Sequence, residues 1–320
     1  MPLVTLGAVQ AEPIYLDLDA SVAKTISLIA EAAEKGVQVL GFPEVWVGGY
    51  PWPIWTQNAY TSFDFTVKYR ATSLSRTSSQ MQRIQDACAE HKIFVVLGYS
   101  EKEGGSIYMS QAFISPSGTI LHNRRKIKPT HVERTLWGEG QSSSLTTVVS
   151  TDIGKIGALN CWENLQPLLR YYEYSQGAQI HVAGWPAFPW KSENVGFPYL
   201  YNCSGEANYR LSRVVAMEGQ MFVICATQVA REERFGVLGL EGMGLFREDD
   251  GGFAMIFGPD GTPLIERLPA GEEGILTAQV DLDDILAAKS VCDPVGHYSR
   301  PDLLSLNVNM EEAKVVHEKS

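Results

Sequence analysis

The sequence predicts an α/β fold in which two β-sheets pack face to face, each covered on its outer side by helices. Three observations predict it. Short apolar runs alternate with segments of helical periodicity along the first half. Hairpin turns then appear within each half, at Pro116-Ser117-Gly118 and at Gly258-Pro259-Asp260-Gly261. The unit 111–126, an apolar strand, a turn and a polar strand, resembles 254–268, a weak internal repeat. Strands that are apolar on both faces need cover on both, and stacked layers supply it.

Residues 3–10 read as a strand, and 19–36 as an amphipathic helix with Val22, Ile26, Ile29 and Ala33 on one face and Gly36 as its stop. A strand at 37–42 ends in Pro43-Glu44, before a proline- and tryptophan-rich loop at 48–55. Helical stretches at 54–70 and 78–91 lead to strands at 93–100, 106–114 and 119–126. Strands at 145–150 and 155–159 flank a turn at Asp152-Ile153-Gly154. A helix at 164–176 and a strand at 179–183 follow, ending in Gly184-Trp185-Pro186. A helix at 205–219, a strand at 221–229, a hairpin of 252–257 with 263–267, a strand at 274–280 and a helix at 281–290 complete the pattern. No flexible linker divides the halves. We therefore expect a single domain over 1–304 and a C-terminal tail over 305–320 that packs on a neighbour or frays.

With 320 residues, 45% of them hydrophobic, the chain can bury a large core. A net charge of −11 argues against a nucleic-acid partner or an anionic membrane surface. Five scattered cysteines without a CxxC pair suit free thiols in a reducing, cytoplasmic setting. No basic-then-apolar leader and no apolar run of membrane-spanning length are expected to direct or anchor the chain. Gly48-Gly49 and Gly251-Gly252 lack the strand–helix context of a dinucleotide fingerprint, and no metal-ligand spacing appears, so neither cofactor nor metal is expected.

The chain is organised around Gly157-Ala158-Leu159-Asn160-Cys161-Trp162-Glu163. An apolar strand stops at Asn160-Cys161 and a helical pattern follows from about Leu165. The cysteine therefore sits on a tight strand-to-helix turn, where its thiol can project into a cleft and backbone N–H groups can face the same point. The positive end of the following helix would stabilise a thiolate there. A free cysteine is otherwise a small buried apolar residue, so its assignment as a nucleophile depends on partners. His122, His131 and His181 lie in no matched segment and read as structural or solvated. Carboxylates and lysines at strand ends remain. Glu44 closes a strand behind Pro43, which fixes the local backbone. In Arg124-Arg125-Lys126-Ile127-Lys128, alternation sets Arg124, Lys126 and Lys128 on one face, and Arg125 and Ile127 on the other. Such a cluster is either a solvated edge or a way to place one lysine in a cleft.

These motifs together carry a resemblance. Phe42-Pro43-Glu44, then Arg125-Lys126 with Pro129-Thr130, Glu133-Arg134 and Trp137-Gly138, then Asn160-Cys161-Trp162-Glu163, are similar in content and order to the nitrilase family of carbon–nitrogen hydrolases. The segment 124–134 and Gly296-His297-Tyr298-Ser299-Arg300-Pro301-Asp302 resemble fungal-type nitrilases and cyanide hydratases. The resemblance implies a four-layer α-β-β-α sandwich and, matched residue by residue, catalytic Glu44, Lys126 and Cys161 with a second glutamate at Glu133. Lys128 is the competing lysine by position. It further implies pocket residues Tyr50, Trp162, Trp185 and Pro186; Trp55 reads more readily as a core aromatic. Glu163 would orient the turn or Lys126. The implied reaction is hydrolysis of a nitrile to acid and ammonia. The alternatives are a cyanide hydratase or an amidase of the same superfamily, or a catalytically silent assembly protein. The implied assembly is a homodimer across helices, building larger spiral homo-oligomers.

Overall fold

The computed structural model describes residues 3–191, 200–246 and 248–317. In chain order the strands are β1 Leu3–Ala11, β2 Val39–Gly41, β3 Phe94–Glu103, β4 Ser106–Ile114, β5 Ile120–Arg125, β6 Val148–Ser150, β7 Lys155–Asn160, β8 Ile180–Trp185, β9 Phe222–Ala230, β10 Asp250–Gly251, β11 Met255–Phe257 and β12 Gly274–Asp281. The helices are α1 Leu18–Glu34, α2 Pro53–Thr56, α3 Phe63–Ala71, α4 Ser79–His91, α5 Pro167–Gln176, α6 Gly205–Gly219 and α7 Asp284–Val291.

The strand order β5-β4-β3-β2-β1-β9-β8-β7-β6 is continuous, but its two halves meet only where the last residues of β1, Gln10 and Ala11, pair with Thr227 and Gln228 of β9. On either side of that corner the halves fold face to face. Val4, Leu6, Ala8, Val39 and Val96 pack against Ile156, Ile180, Val182, Phe222 and Ile224 in one buried cluster. A Cβ on Gly41 would lie 2.8 Å from both Ile224 and Val182. Opposite faces of the same strands carry the helices. Val9, Leu40, Val95 and Leu97 pack with Val22, Ile29 and Ala32 of α1 and Met81 and Ile84 of α4. Val223 and Cys225 pack with Tyr174 of α5 and Val215 and Ala216 of α6. The result is the four-layer α-β-β-α arrangement. Parallel pairing within β3-β2-β1 and within β7-β8-β9 points the ends of the central strands of both halves the same way.

Local chemistry explains where elements begin and end. The Asp17 side chain caps α1 by accepting from Ala20 N–H, and Ser78 caps α4 through Met81 N–H. The helical stretch expected at 54–70 is two helices, because Asn58 Oδ1 accepts from the N–H groups of Tyr60 and Thr61 and makes a turn between them. The second arm of the hairpin expected at 263–267 is not a strand. Beyond one bridge between Phe257 and Pro263 only Leu264 N–H reaches Ile256, since proline has no N–H for the ladder. The helix expected from 164 starts at Pro167, whose ring suits a first helical position; a 3-10 turn, Cys161–Leu165, precedes it. The tail runs over the surface, with Ser142 Oγ–H donating to Met310 O and Ala313 N–H to Gln141. No helix among the described residues is long and apolar enough to cross a membrane.

Candidate active site

Three strand ends and one turn converge above the paired sheets, the position at which parallel α/β sheets bind ligands. Beyond β2, Phe42-Pro43-Glu44 turns inward between the halves. A Cβ on Gly98 of β3 would meet Pro43 O at 2.0 Å, and one on Gly184 of β8 would meet Glu44 N at 2.9 Å, so both strands need glycine here. Lys126 follows β5 and extends its ladder, its N–H donating to Met109 O. Glu133 lies in the 3-10 turn His131–Thr135 and its carboxylate accepts from Thr130 N–H at 2.6 Å. Cys161 is the first residue past β7 and holds a left-handed backbone, φ 47°.

Lys126 Nζ donates to Glu44 Oε1 at 2.9 Å and to Glu133 Oε2 at 2.8 Å, and all three side chains are buried. Glu44 Oε2 has no hydrogen-bond partner among the described residues. Burial pushes the Glu44 carboxyl from 4.5 up to about 8; Lys126 opposes the rise and Glu133 adds to it. Burial alone would depress the Lys126 ammonium, but Glu133, Glu44 and Cys161 together outweigh it and hold it well above its ordinary value. The Cys161 thiol is driven well upward by burial and by Glu44 and Glu133, against Lys126 and the N–H of Trp162. The resting sulfur is therefore a thiol. The α-helix expected directly behind the cysteine begins only at Pro167; a 3-10 turn, Cys161–Leu165, intervenes, and the Trp162 N–H is what favours the thiolate there. Lys128, the competing lysine, points away: it is exposed and pairs with Glu139, since the strand has ended by then.

Glu163 connects the two halves of the site. Its carboxylate is gripped by Arg124 Nη1 and Nη2 at 2.8 and 2.7 Å and accepts from the N–H of Ile127 and of Asn160, both at 2.9 Å. The first N–H adjoins Lys126 and the second adjoins Cys161. One buried carboxylate therefore ties the lysine's strand end to the cysteine's. Burial raises the Glu163 carboxyl, but Arg124 and the two amides overcome this and hold it below the usual range.

A cavity of about 290 Å³ opens onto Cys161 and Glu133. Tyr50, Trp52, Trp55, Trp162, Phe188 and Leu245 make it largely apolar. A larger groove, about 540 Å³, lies on the far side of Trp162 against α5 and the tail, but neither Cys161 nor Glu44 lines it.

The chain matches the carbon–nitrogen hydrolase family model over residues 5–290. It is 56% identical over 307 residues to a nitrilase of Talaromyces marneffei, covering 96% of this chain and 95% of that one. The chain belongs to the carbon–nitrogen hydrolase family. A nitrilase of Penicillium rubens is 49% identical, over 98% of this chain and 95% of that one. Among solved structures, a carbon–nitrogen hydrolase of Helicobacter pylori G27 shares the fold, with a TM-score of 0.71 at 17% identity over 94% of this chain and 97% of that one.

Within this carbon–nitrogen hydrolase, Glu44, Lys126, Glu133 and Cys161 converge on one point, and Tyr50, Trp162 and Pro186 line the cavity beside them. Trp185 does not line it. Its ring is wholly buried, packs on Phe253 and donates from Nε1 to Ser212 of α6, because at the end of β8 it alternates to the helix-covered face. Trp55, expected in the core, is instead 41% exposed and lines the cavity. Thr130, Cys203, Met243 and Leu245 also line it and were not expected. Thr130 was legible in its Pro-Thr step; the others come from irregular loops whose side-chain directions no period encodes. Residues 192–199, which follow Pro186 and Phe188 of the lining, lie outside the described residues.

Proposed function

We propose that this carbon–nitrogen hydrolase converts an organic nitrile to its carboxylic acid and ammonia, with Cys161 as nucleophile and Glu44 as general base. The observation that carries the proposal is the unpartnered Glu44 Oε2, buried beside a thiol whose other neighbour is a fixed ammonium. Cys161 sulfur attacks the nitrile carbon as Glu44 takes the thiol proton. Negative charge grows on the nitrile nitrogen, where Lys126 and the Trp162 N–H stabilise it; losing one such donor costs about 3–4 kcal/mol. Glu44 returns the thiol proton to that nitrogen, which gives a thioimidate and restores the carboxylate. Glu44 next takes a proton from water as it adds to the thioimidate carbon. The tetrahedral intermediate expels ammonia to leave a thioester, and a second water releases the acid and restores the thiol. If the intermediate expels the thiol instead, an amide leaves. Glu133, bonded to Lys126, tunes the protonation of the departing nitrogen.

A cavity of about 290 Å³ walled by aromatic rings is far larger than cyanide requires, which favours organic nitriles over cyanide hydration. Five free cysteines support a reducing, cytoplasmic setting. The apolar side chains Leu168, Val214 and Met217, exposed on α5 and α6, support association with a second copy across those helices. The deciding experiment measures ammonia, acid and amide from cyanide, an aliphatic nitrile and an arylacetonitrile, with Cys161→Ala as control. Acid and ammonia from the organic nitriles are expected. Formamide from cyanide alone would make the enzyme a hydratase, and no product with any nitrile would turn attention to amides.

A further inference from the structure

Behind the nucleophile turn lies a buried polar cluster that the proposed reaction does not use. His181 of β8 and Glu173 of α5 are wholly buried and in short contact through Nδ1 and Oε1. His181 Nε2 lies 2.9 Å from Asn164 Oδ1. Asn164 Nδ2 donates to Cys161 O at 2.9 Å and to Leu159 O at 3.3 Å, and Arg170 holds the Asn164 carbonyl at 2.7 Å. The hydrogen-bond pattern fixes the protons. Asn164 must turn its NH2 to the two carbonyls, so its oxygen must accept, and His181 Nε2 must carry a proton. The Nδ1–Oε1 contact with Glu173 holds the opposite edge of the ring, so the imidazole is fixed from both sides. Room for the carboxyl comes from Gly157 of β7, where a Cβ would lie 2.4 Å from Glu173 Oε1.

The far end of this chain is the carbonyl of a residue at φ 47°, a conformation that costs a side-chain-bearing residue about 1–2 kcal/mol. We propose that His181, locked by Glu173, is a positioning residue that acts through Asn164 to hold Cys161 in its left-handed backbone, so that the sulfur faces Glu44 and the Trp162 N–H. The inference rests on Cys161 being the nucleophile. Glu163 secures the turn through Asn160 N–H, on the entering side; His181 and Asn164 secure it on the leaving side.

The test compares His181→Leu, His181→Gln and Asn164→Ala with the parent, by nitrile turnover and by the rate of Cys161 alkylation with iodoacetamide. Removing the donor should lower kcat and the alkylation rate on the order of 10- to 100-fold, because small misplacements at a reacting atom are costly, while KM stays nearly constant. His181→Gln, whose amide can still donate to Asn164, should recover most of the loss. A folded His181→Leu with parental kcat and alkylation would overturn the proposal. If that variant does not fold, Asn164→Ala decides, since it removes the side chain's bonds to the turn and leaves His181 on Glu173; parental kcat there overturns the proposal equally. A parent whose nitrile turnover survives Cys161→Ala would instead remove the nucleophile reading, and this inference with it.

Discussion

The floor and the mouth of the cavity are built on opposite plans. On the floor, Glu44, Lys126, Glu133 and Cys161 are held by strand ends, glycine-dependent close approaches and backbone N–H groups, and Glu44 Oε2 alone among the carboxylate oxygens of Glu44, Glu133 and Glu163 lacks a partner. At the mouth, Trp55, Leu200 and Met243 come from loops and a short helix, and each is more than a third exposed. A polar floor must be satisfied bond by bond, because each unpaired buried group costs about 1–3 kcal/mol. An apolar wall need only fill space. Chemistry should therefore be intolerant of change at the floor, and substrate choice tolerant of change at the wall.

The sharpest break of this contrast is at the floor. Cys161→Ala should abolish turnover. Lys126→Arg keeps the charge but replaces a compact ammonium with a planar fork that cannot serve both Glu44 and Glu133 in the same space. Its kcat should fall on the order of 100- to 1,000-fold, and parental turnover by this variant would remove Lys126 from the reaction. Glu163→Gln strikes the support beneath both residues. It strands the wholly buried Arg124 guanidinium and should cost about 3–5 kcal/mol of stability. Urea unfolding would register this, and a midpoint within error of the parent would show that the tie between the two strand ends is dispensable.

A pH profile probes the same floor without mutation. The base must be ionised to act, and burial has moved Glu44 from 4.5 to about 8. kcat/KM should rise with pH, losing about tenfold per unit below the midpoint near 8. The titration belongs to Glu44, Lys126, Glu133 and Cys161 jointly. The fold responds with the opposite sign. A carboxyl raised in the native state binds its proton more tightly there than in the unfolded chain, so its contribution to stability is complete below about 4.5 and is lost as pH rises through about 8. Activity and the unfolding midpoint measured across this range should diverge. A rate profile flat from about pH 6 to 9 would mean that Glu44 is already ionised throughout, against its burial.

The contrast also governs what could be read before the structure. Strand ends are legible: a two-residue period put Arg124 and Lys126 on one face, and both are buried. Lys128 shared that period on paper but lies past the strand, where the period no longer holds. Trp185 and Trp55 were exchanged for other reasons: Trp185 keeps the alternation of β8 and so faces α6, and Trp55 lies on α2, a single turn too short to show a periodic face. Glu163 was expected to orient the turn or Lys126, and its carboxylate bonds beside both; its grip by Arg124 and the hold of His181 on Asn164 were not legible, because those partners are distant in sequence. Only packing reveals that Gly157 leaves room for Glu173.

The smallest expected effect tests where floor becomes wall. Trp55 Nε1–H donates to Tyr50 OH at 2.8 Å, and Tyr50 OH in turn donates to Glu133 Oε1 at 3.0 Å. Trp55→Phe deletes the first bond but keeps an aromatic ring to stack on His131, whose ring centre lies 5.2 Å away. One neutral hydrogen bond contributes about 0.5–1.5 kcal/mol, so the change should stay within roughly tenfold. If Trp55 is wall, the change appears in KM for bulky nitriles, and kcat and the ratio of acid to amide hold. If kcat falls a hundredfold, or amide replaces acid, Tyr50 depends on Trp55 to hold Glu133, and the floor extends two residues further toward solvent than burial suggests.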